Sequence, residues 1–143
     1  MQTTDPYLFE AVALQIPDAV IFADRDGIIR MWNRGAETVF GFAADEVVGQ
    51  SLDVIVPERL RPAHWAAFRR AIDGRRTRYE NQVRTTRSIH KDGRKLYVDL
   101  SFGLITDKAG AVIGSVAVGR DCSDRHSAEK ALREQLDAAK KAS

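Results

Sequence analysis

Three four-residue turn signals divide this chain: Asp24-Arg25-Asp26-Gly27, His90-Lys91-Asp92-Gly93 and residues 107–110, which read "DKAG". Each ends on glycine, which reaches the left-handed backbone region without a steric penalty, and each follows or precedes an apolar, β-rich run. Such turns fold a strand back on its neighbour, so the chain must contain antiparallel hairpins. Residues 19–23 and 28–32 ("AVIFA" and "IIRMW") flank the first turn. "RYENQVRTTRSI" and "KLYVDLSFGLI" flank the second, and residues 111–119 follow the third.

Helical patterns fill the rest. Residues 6–16, "PYLFEAVALQI", read as a short helix with Asp5 as N-cap and Pro6 in the first turn, where its missing N–H is no loss. Asn33 caps a second helix that ends at Gly41, and Ser51 is positioned to cap a short helical turn. "PERLRPAHWAAFRRAI" at 57–72 predicts an amphipathic helix starting at Pro57, with Leu60, His64, Ala67, Phe68 and Ala71 along its buried stripe. An imidazole therefore occupies a position where a leucine would do. The order of elements predicts an α+β fold: a five-stranded antiparallel sheet with short helices on one face. The final stretch, "SDRHSAEKALREQLDAAKKAS", predicts a polar helix whose seam is only two leucines deep, Leu132 and Leu136.

Composition narrows the function. The chain has 143 residues, a formal charge of +2 and one cysteine, Cys122. The near balance of charge gives no global attraction to nucleic acid or membrane. A single cysteine excludes an internal disulfide and a multi-cysteine zinc site, and it agrees with a cytoplasmic setting. No apolar run approaches the ~20 residues that span a bilayer, and "MQTTDPYLFE" has no signal-peptide pattern. No phosphate-binding glycine loop and no nucleophile elbow is present, so the chain does not read as an enzyme. His90, in a turn, and His126, in the final helix, are expected to be solvent-exposed, with no metal-ligand spacing to another His or Cys.

Several segments, in order, resemble the PAS sensory domain across roughly residues 7–125: "IPDAVIFADRDGIIRMWNRGAETVFGF", "VVGQSL" and "HKDGRKLYVDLSFGLITDKAGAVIGSVAVGRDCSDR". The closing "RDCSDR" departs from the usual Asp-Ile-Thr-Glu-Arg at Cys122 and Ser123. The resemblance implies an N-terminal flanking helix over 1–16, a PAS core over 17–122, and a C-terminal signalling helix over 123–143 leading to an output domain outside this sequence.

Within that family, the haem-PAS oxygen sensors of the FixL and direct-oxygen-sensor types carry a histidine ligand on this helix, and "RPAH" at 61–64 is similar to the ligand motif of the direct-oxygen-sensor type. That resemblance implies that His64 is the metal ligand of a haem b. It also implies that Arg84, eight residues before Asp92, faces the diatomic gas, O2, and that Leu100 and Phe102 wall the gas side. Trp65 and Tyr79 fall beside the same pocket. A haem iron needs one neutral imidazole of fixed orientation, and a guanidinium in an apolar pocket stabilises partial negative charge on bound O2. The other reading is a haem-free PAS module that binds another small ligand or acts through its surfaces. On either reading the apolar residues around the N-terminal helix (Leu8, Phe9, Ala11, Val12, Leu14 and Ile16) predict that one face covers the sheet. The others are then left for a homodimer through this helix and the outer sheet face.

Overall fold

A computed structural model describes residues 5–76 and 82–142. The elements are α1 (Pro6–Gln15), β1 (Ala19–Asp24), β2 (Ile29–Trp32), α2 (Arg34–Phe40), α3 (Ala44–Val47), two 3-10 turns (Leu52–Ile55 and Glu58–Leu60), α4 (Arg61–Gly74), β3 (Arg84–Ile89), β4 (Lys95–Thr106), β5 (Val112–Asp121) and α5 (Ser123–Ala142). The five strands form one antiparallel sheet in the order β2-β1-β5-β4-β3. All three predicted turns close as hairpin ends, with Gly27, Gly93 and Gly110 at positive φ. Tyr79 lies outside the described residues.

Alternation along the strands separates two faces. On the inner face Ala19, Ile21, Ala23, Leu96, Val98 and Leu100 are all 5% exposed or less, and they pack against Ala36, Val39, Phe40, Val47, Leu52 and Ile55 from the helices and the first 3-10 turn. Trp32 closes this core at the β2 edge, and its indole N–H donates to the Phe42 carbonyl at 3.0 Å. No helix among the described residues is long and apolar enough to cross a membrane.

Two expectations are corrected. The helix that carries His64 begins at Arg61, because Pro57 opens a separate 3-10 turn and Pro62 takes the proline position of α4. The packed face holds His64, Trp65, Phe68, Ala71 and Ile72, and Ala67, expected on it, lies in solvent. The second correction concerns α1, which rests on α2 and buries none of its residues; Tyr7, Leu8, Phe9, Val12, Leu14 and Ile16 are all exposed. Its short, continuously apolar sequence has no dominant face to turn inward.

Asn33 joins the N-terminal elements. Its side chain is buried, with the oxygen accepting from Val20 N at 2.7 Å and Ala36 N at 2.9 Å, and the NH2 donating to the carbonyls of Ala13, Ile16 and Asp18 at 3.0, 3.1 and 2.9 Å. Removing a side chain that satisfies several buried backbone groups strands them without water. Asn33→Ala is therefore expected to lower the unfolding free energy by about 3 kcal/mol in a urea titration. A loss below about 1 kcal/mol would show that these groups find other partners.

Candidate functional site

The start of α4 is tied to the 3-10 turn before it. Ser51 caps that turn by accepting from Asp53 N at 3.1 Å, and Arg61 reaches back to the carbonyls of Val56 and Asp53 at 3.1 and 3.2 Å. The Trp65 indole N–H donates to Asp53 Oδ1 at 2.8 Å. Its ring lies so close over the first hairpin turn that a Cβ on Gly27 would fall 2.1 Å from Trp65 Cη2. Trp65 is thus committed to Asp53 and Gly27, and it anchors the helix turn that presents His64.

His64 sits between aromatic neighbours, edge-on to Trp65 with ring centroids 4.8 Å apart and tilted against Phe68 at 6.2 Å. Its Nδ1 is buried and has no hydrogen-bond partner among the described residues. Burial lowers the imidazole pKa, and the nearby Asp53 carboxylate only partly offsets this. The ring is therefore held neutral, the form in which imidazole is a metal ligand.

Across the sheet, Arg84 pairs with Leu100, and directly opposed residues in an antiparallel pair share a face. Arg84, Leu100 and Phe102 thus all lie on the inner face of the sheet. Leu100 belongs to the core that Trp65 and Phe68 pack against. Arg84 is exposed, and Phe102 is 42% exposed, beside Arg75, Arg76, Leu104 and Val112 in a cleft of about 210 Å³ near the end of α4. The structure brings His64 and Trp65 together on the helix, and Arg84, Leu100 and Phe102 together on the sheet. Among the described residues, no group of three or more His, Cys, Asp or Glu is arranged to hold a metal ion.

Neither remaining histidine is free in solvent, contrary to expectation. The His90 side chain is only 15% exposed and packs over Gly41, while its Nδ1 accepts from Asp92 N at 3.1 Å. His126 stacks on Tyr97 with centroids 3.5 Å apart and planes 9° from parallel. That stack belongs to a group on the outer sheet face which the sequence reading missed: Thr85, Tyr97, Asp99, Ser123, Arg125 and His126. A legible signal existed, since Tyr97 and Asp99 alternate with the buried Leu96, Val98 and Leu100 and so had to face outward.

The lowered pKa of His64 gives a signed pH dependence. The unfolded chain takes up a proton near pH 6.5 while the folded chain resists it. This contribution to stability is complete above that pH and declines as pH falls below it. Denaturant titrations from about pH 7 to about pH 5 should therefore show His64→Phe losing less stability than the wild type on acidification. Parallel losses would show that the imidazole protonates freely in the folded chain.

Comparison with known proteins agrees with this architecture. The family model described as "PAS fold" matches residues 14–127. The oxygen sensor protein DosP of Escherichia coli (strain K12) is 30% identical over 131 residues, covering 92% of this chain and 16% of its own length. The sensor protein FixL of Bradyrhizobium diazoefficiens is 34% identical over 64 residues, covering 45% of this chain and 12% of its own. The chain thus spans less than a fifth of either relative. Among solved structures, the PAS domain of a Colwellia psychrerythraea protein superposes with a TM-score of 0.71 at 19% identity, over 82% of this chain and 97% of that one. An RNA-binding light-oxygen-voltage receptor superposes with a TM-score of 0.74 at 22% identity, over 96% of this chain and 42% of that one, and these likenesses concern the fold. By its sequence match and its sheet, the chain belongs to the PAS-fold family.

Proposed function

We propose that this PAS domain is a gas-sensing module rather than an enzyme, holding haem b between α4 and the inner sheet face with His64 as the iron ligand. The observation that carries the reading is the His64 imidazole itself: half-buried, neutral, and without a hydrogen bond on its buried nitrogen. Similarity to DosP and FixL, both named as sensors and DosP as an oxygen sensor, supports it. When bound, haem supplies an iron that takes a diatomic gas.

The chain's own residues then have distinct tasks. Trp65, fixed by Asp53, holds the α4 turn so that His64 keeps one orientation. Leu100 gives an apolar wall that excludes water. Arg84, on the same face, offers a guanidinium to partial negative charge on O2, and Phe102 covers the far side of the pocket. One thiol, Cys122, buried and shifted toward its neutral form by that burial, suits a reducing cytoplasmic compartment.

Reconstitution tests this reading. Supplied with haem, the wild type should bind one equivalent and give a Soret band, and His64→Ala should abolish it while leaving the far-ultraviolet circular dichroism unchanged. A colourless wild type would remove haem from the account, and a coloured His64→Ala protein would assign the iron to another ligand.

A second reading, a haem-free interaction module, is favoured by α1. Tyr7 is 70% exposed, Val12 56% and Leu8 48%, a density of bare apolar side chains that a second chain would cover. We propose a homodimer built on α1 and the outer sheet face, with or without haem. Light scattering should give a dimer for the intact domain at tens of micromolar and a monomer after removal of residues 1–16. A monomeric intact domain, or a dimer untouched by the truncation, would rule the arrangement out.

A further inference from the structure

Two neighbouring residue pairs in the β3–β4 ladder face opposite ways. Arg84↔Leu100 faces the inner side of the sheet, so the next pair, Thr85↔Asp99, faces the outer side, where α5 begins. On that side the Asp99 carboxylate receives four donors. Arg125 donates through Nη1 to Oδ2 at 2.7 Å and through Nη2 to Oδ1 at 3.1 Å. Thr85 Oγ1 donates to Oδ1 at 2.6 Å, and the Cys122 thiol approaches the same oxygen at 3.5 Å.

The attachment of α5 is short. Tyr97 stacks on His126, Tyr97 N donates to Ser123 Oγ at 3.0 Å, and Cys122 N donates to the Tyr97 carbonyl at 2.8 Å. Past His126, every described residue of the helix is exposed. A helix of 20 residues is about 30 Å long, so a small tilt at its first turn becomes a large displacement at its far end.

We propose that Asp99 is a latch holding the root of α5 on the sheet, and that Thr85 sets it by fixing the rotation of the Asp99 carboxylate so that both oxygens meet the Arg125 fork. A bidentate pair depends on coplanarity. A shift of β3 or β4 by a fraction of an ångström on the inner side carries Thr85 or Asp99 with it. The hydroxyl then leaves Oδ1, the carboxylate turns, and the fork loosens. Thr85 is in this sense a positioning residue. Arg125, followed by Thr85, keeps the Asp99 carboxyl far below the usual carboxylate range, so the latch stays charged at all ordinary pH values. The latch rests on the sensing reading only for what displaces the strands; its construction does not require haem.

Hydrogen exchange on the haem-free protein tests the latch without the sensing reading. Asp99→Asn should speed exchange of the amides at 127–131 by about tenfold or more and leave those of β1 and β5 unchanged. Thr85→Val should act in the same direction and Thr85→Ser should restore protection. Leu100→Ala, on the inner face, should loosen α5 in the wild-type background and add nothing in the Asp99→Asn background. If Asp99→Asn also exposes β1 and β5, Arg125→Gln, a surface substitution, takes its place and must give the same local increase.

Unchanged α5 exchange in these variants, or a Leu100→Ala effect of equal size with and without the carboxylate, would overturn the proposal. Haem titration of the same proteins is read separately. A chain that binds no haem but shows the non-additive exchange pattern keeps the latch and loses the haem reading.

Discussion

The buried amide of Asn33 fixes where the N-terminal third of the molecule can lie. Three carbonyls that follow from the end of α1, a β1 amide and an α2 amide all meet this one side chain. Asn33 N also donates to the Val20 carbonyl at 3.2 Å. The space around it is correspondingly tight, since a Cβ on Gly35 would sit 2.1 Å from the Asp18 carbonyl oxygen. An amide is the one short side chain that both donates twice and accepts, so neither aspartate nor leucine could serve the same five groups. The position of α1 is therefore coupled to β1 through polar contacts, although its apolar residues are bare.

The strand order gives that coupling a consequence. β1 and β5 lie side by side at the centre of the sheet, and the start of β1 meets the end of β5, with Ala19 opposite Gly119. Both terminal helices thus attach at the same end of the two central strands, where Arg120 also pairs with Asp18 at 3.2 Å. Gly119 allows the close approach there, because a Cβ would fall 1.8 Å from the Asp99 carbonyl oxygen. The entering helix, the leaving helix and the Asp99 backbone are within one connected region, so movement of β4 can reach both terminal helices.

Much of this fold was legible because its signals are local. Glycine turns, the Asn33 cap and the alternation in β4 each follow from a few adjacent residues. The start of α4 was misread for a local reason as well: Pro57 and Pro62 both satisfy a first helical turn, and only tertiary packing of the 3-10 segment decides between them. The candidate site was legible only in part. The parity that puts Arg84, Leu100 and Phe102 on one face is a strand property, whereas the exposure of Phe102 depends on where α4 ends. The contacts of Asp99 with Arg125 and of Tyr97 with His126 span 26 and 29 positions and leave no periodic trace in either segment.

The three histidines separate by how their burial is repaid. His90 gains a backbone donor for its ring nitrogen and packs against Gly41. His126 exchanges solvent for a stacked tyrosine on the outer face. His64 gains aromatic contacts on its edges, but leucine would gain as much from the same neighbours without hiding a polar atom. A buried, unpartnered ring nitrogen costs about 1–3 kcal/mol, and among the described residues nothing at α4 offsets it. Unrepaid polarity of this kind concentrates where a protein meets a ligand. The stability given up at His64 leaves a neutral imidazole on α4 whose burial no described contact offsets, which sets this histidine apart from those of the turn and the C-terminal helix.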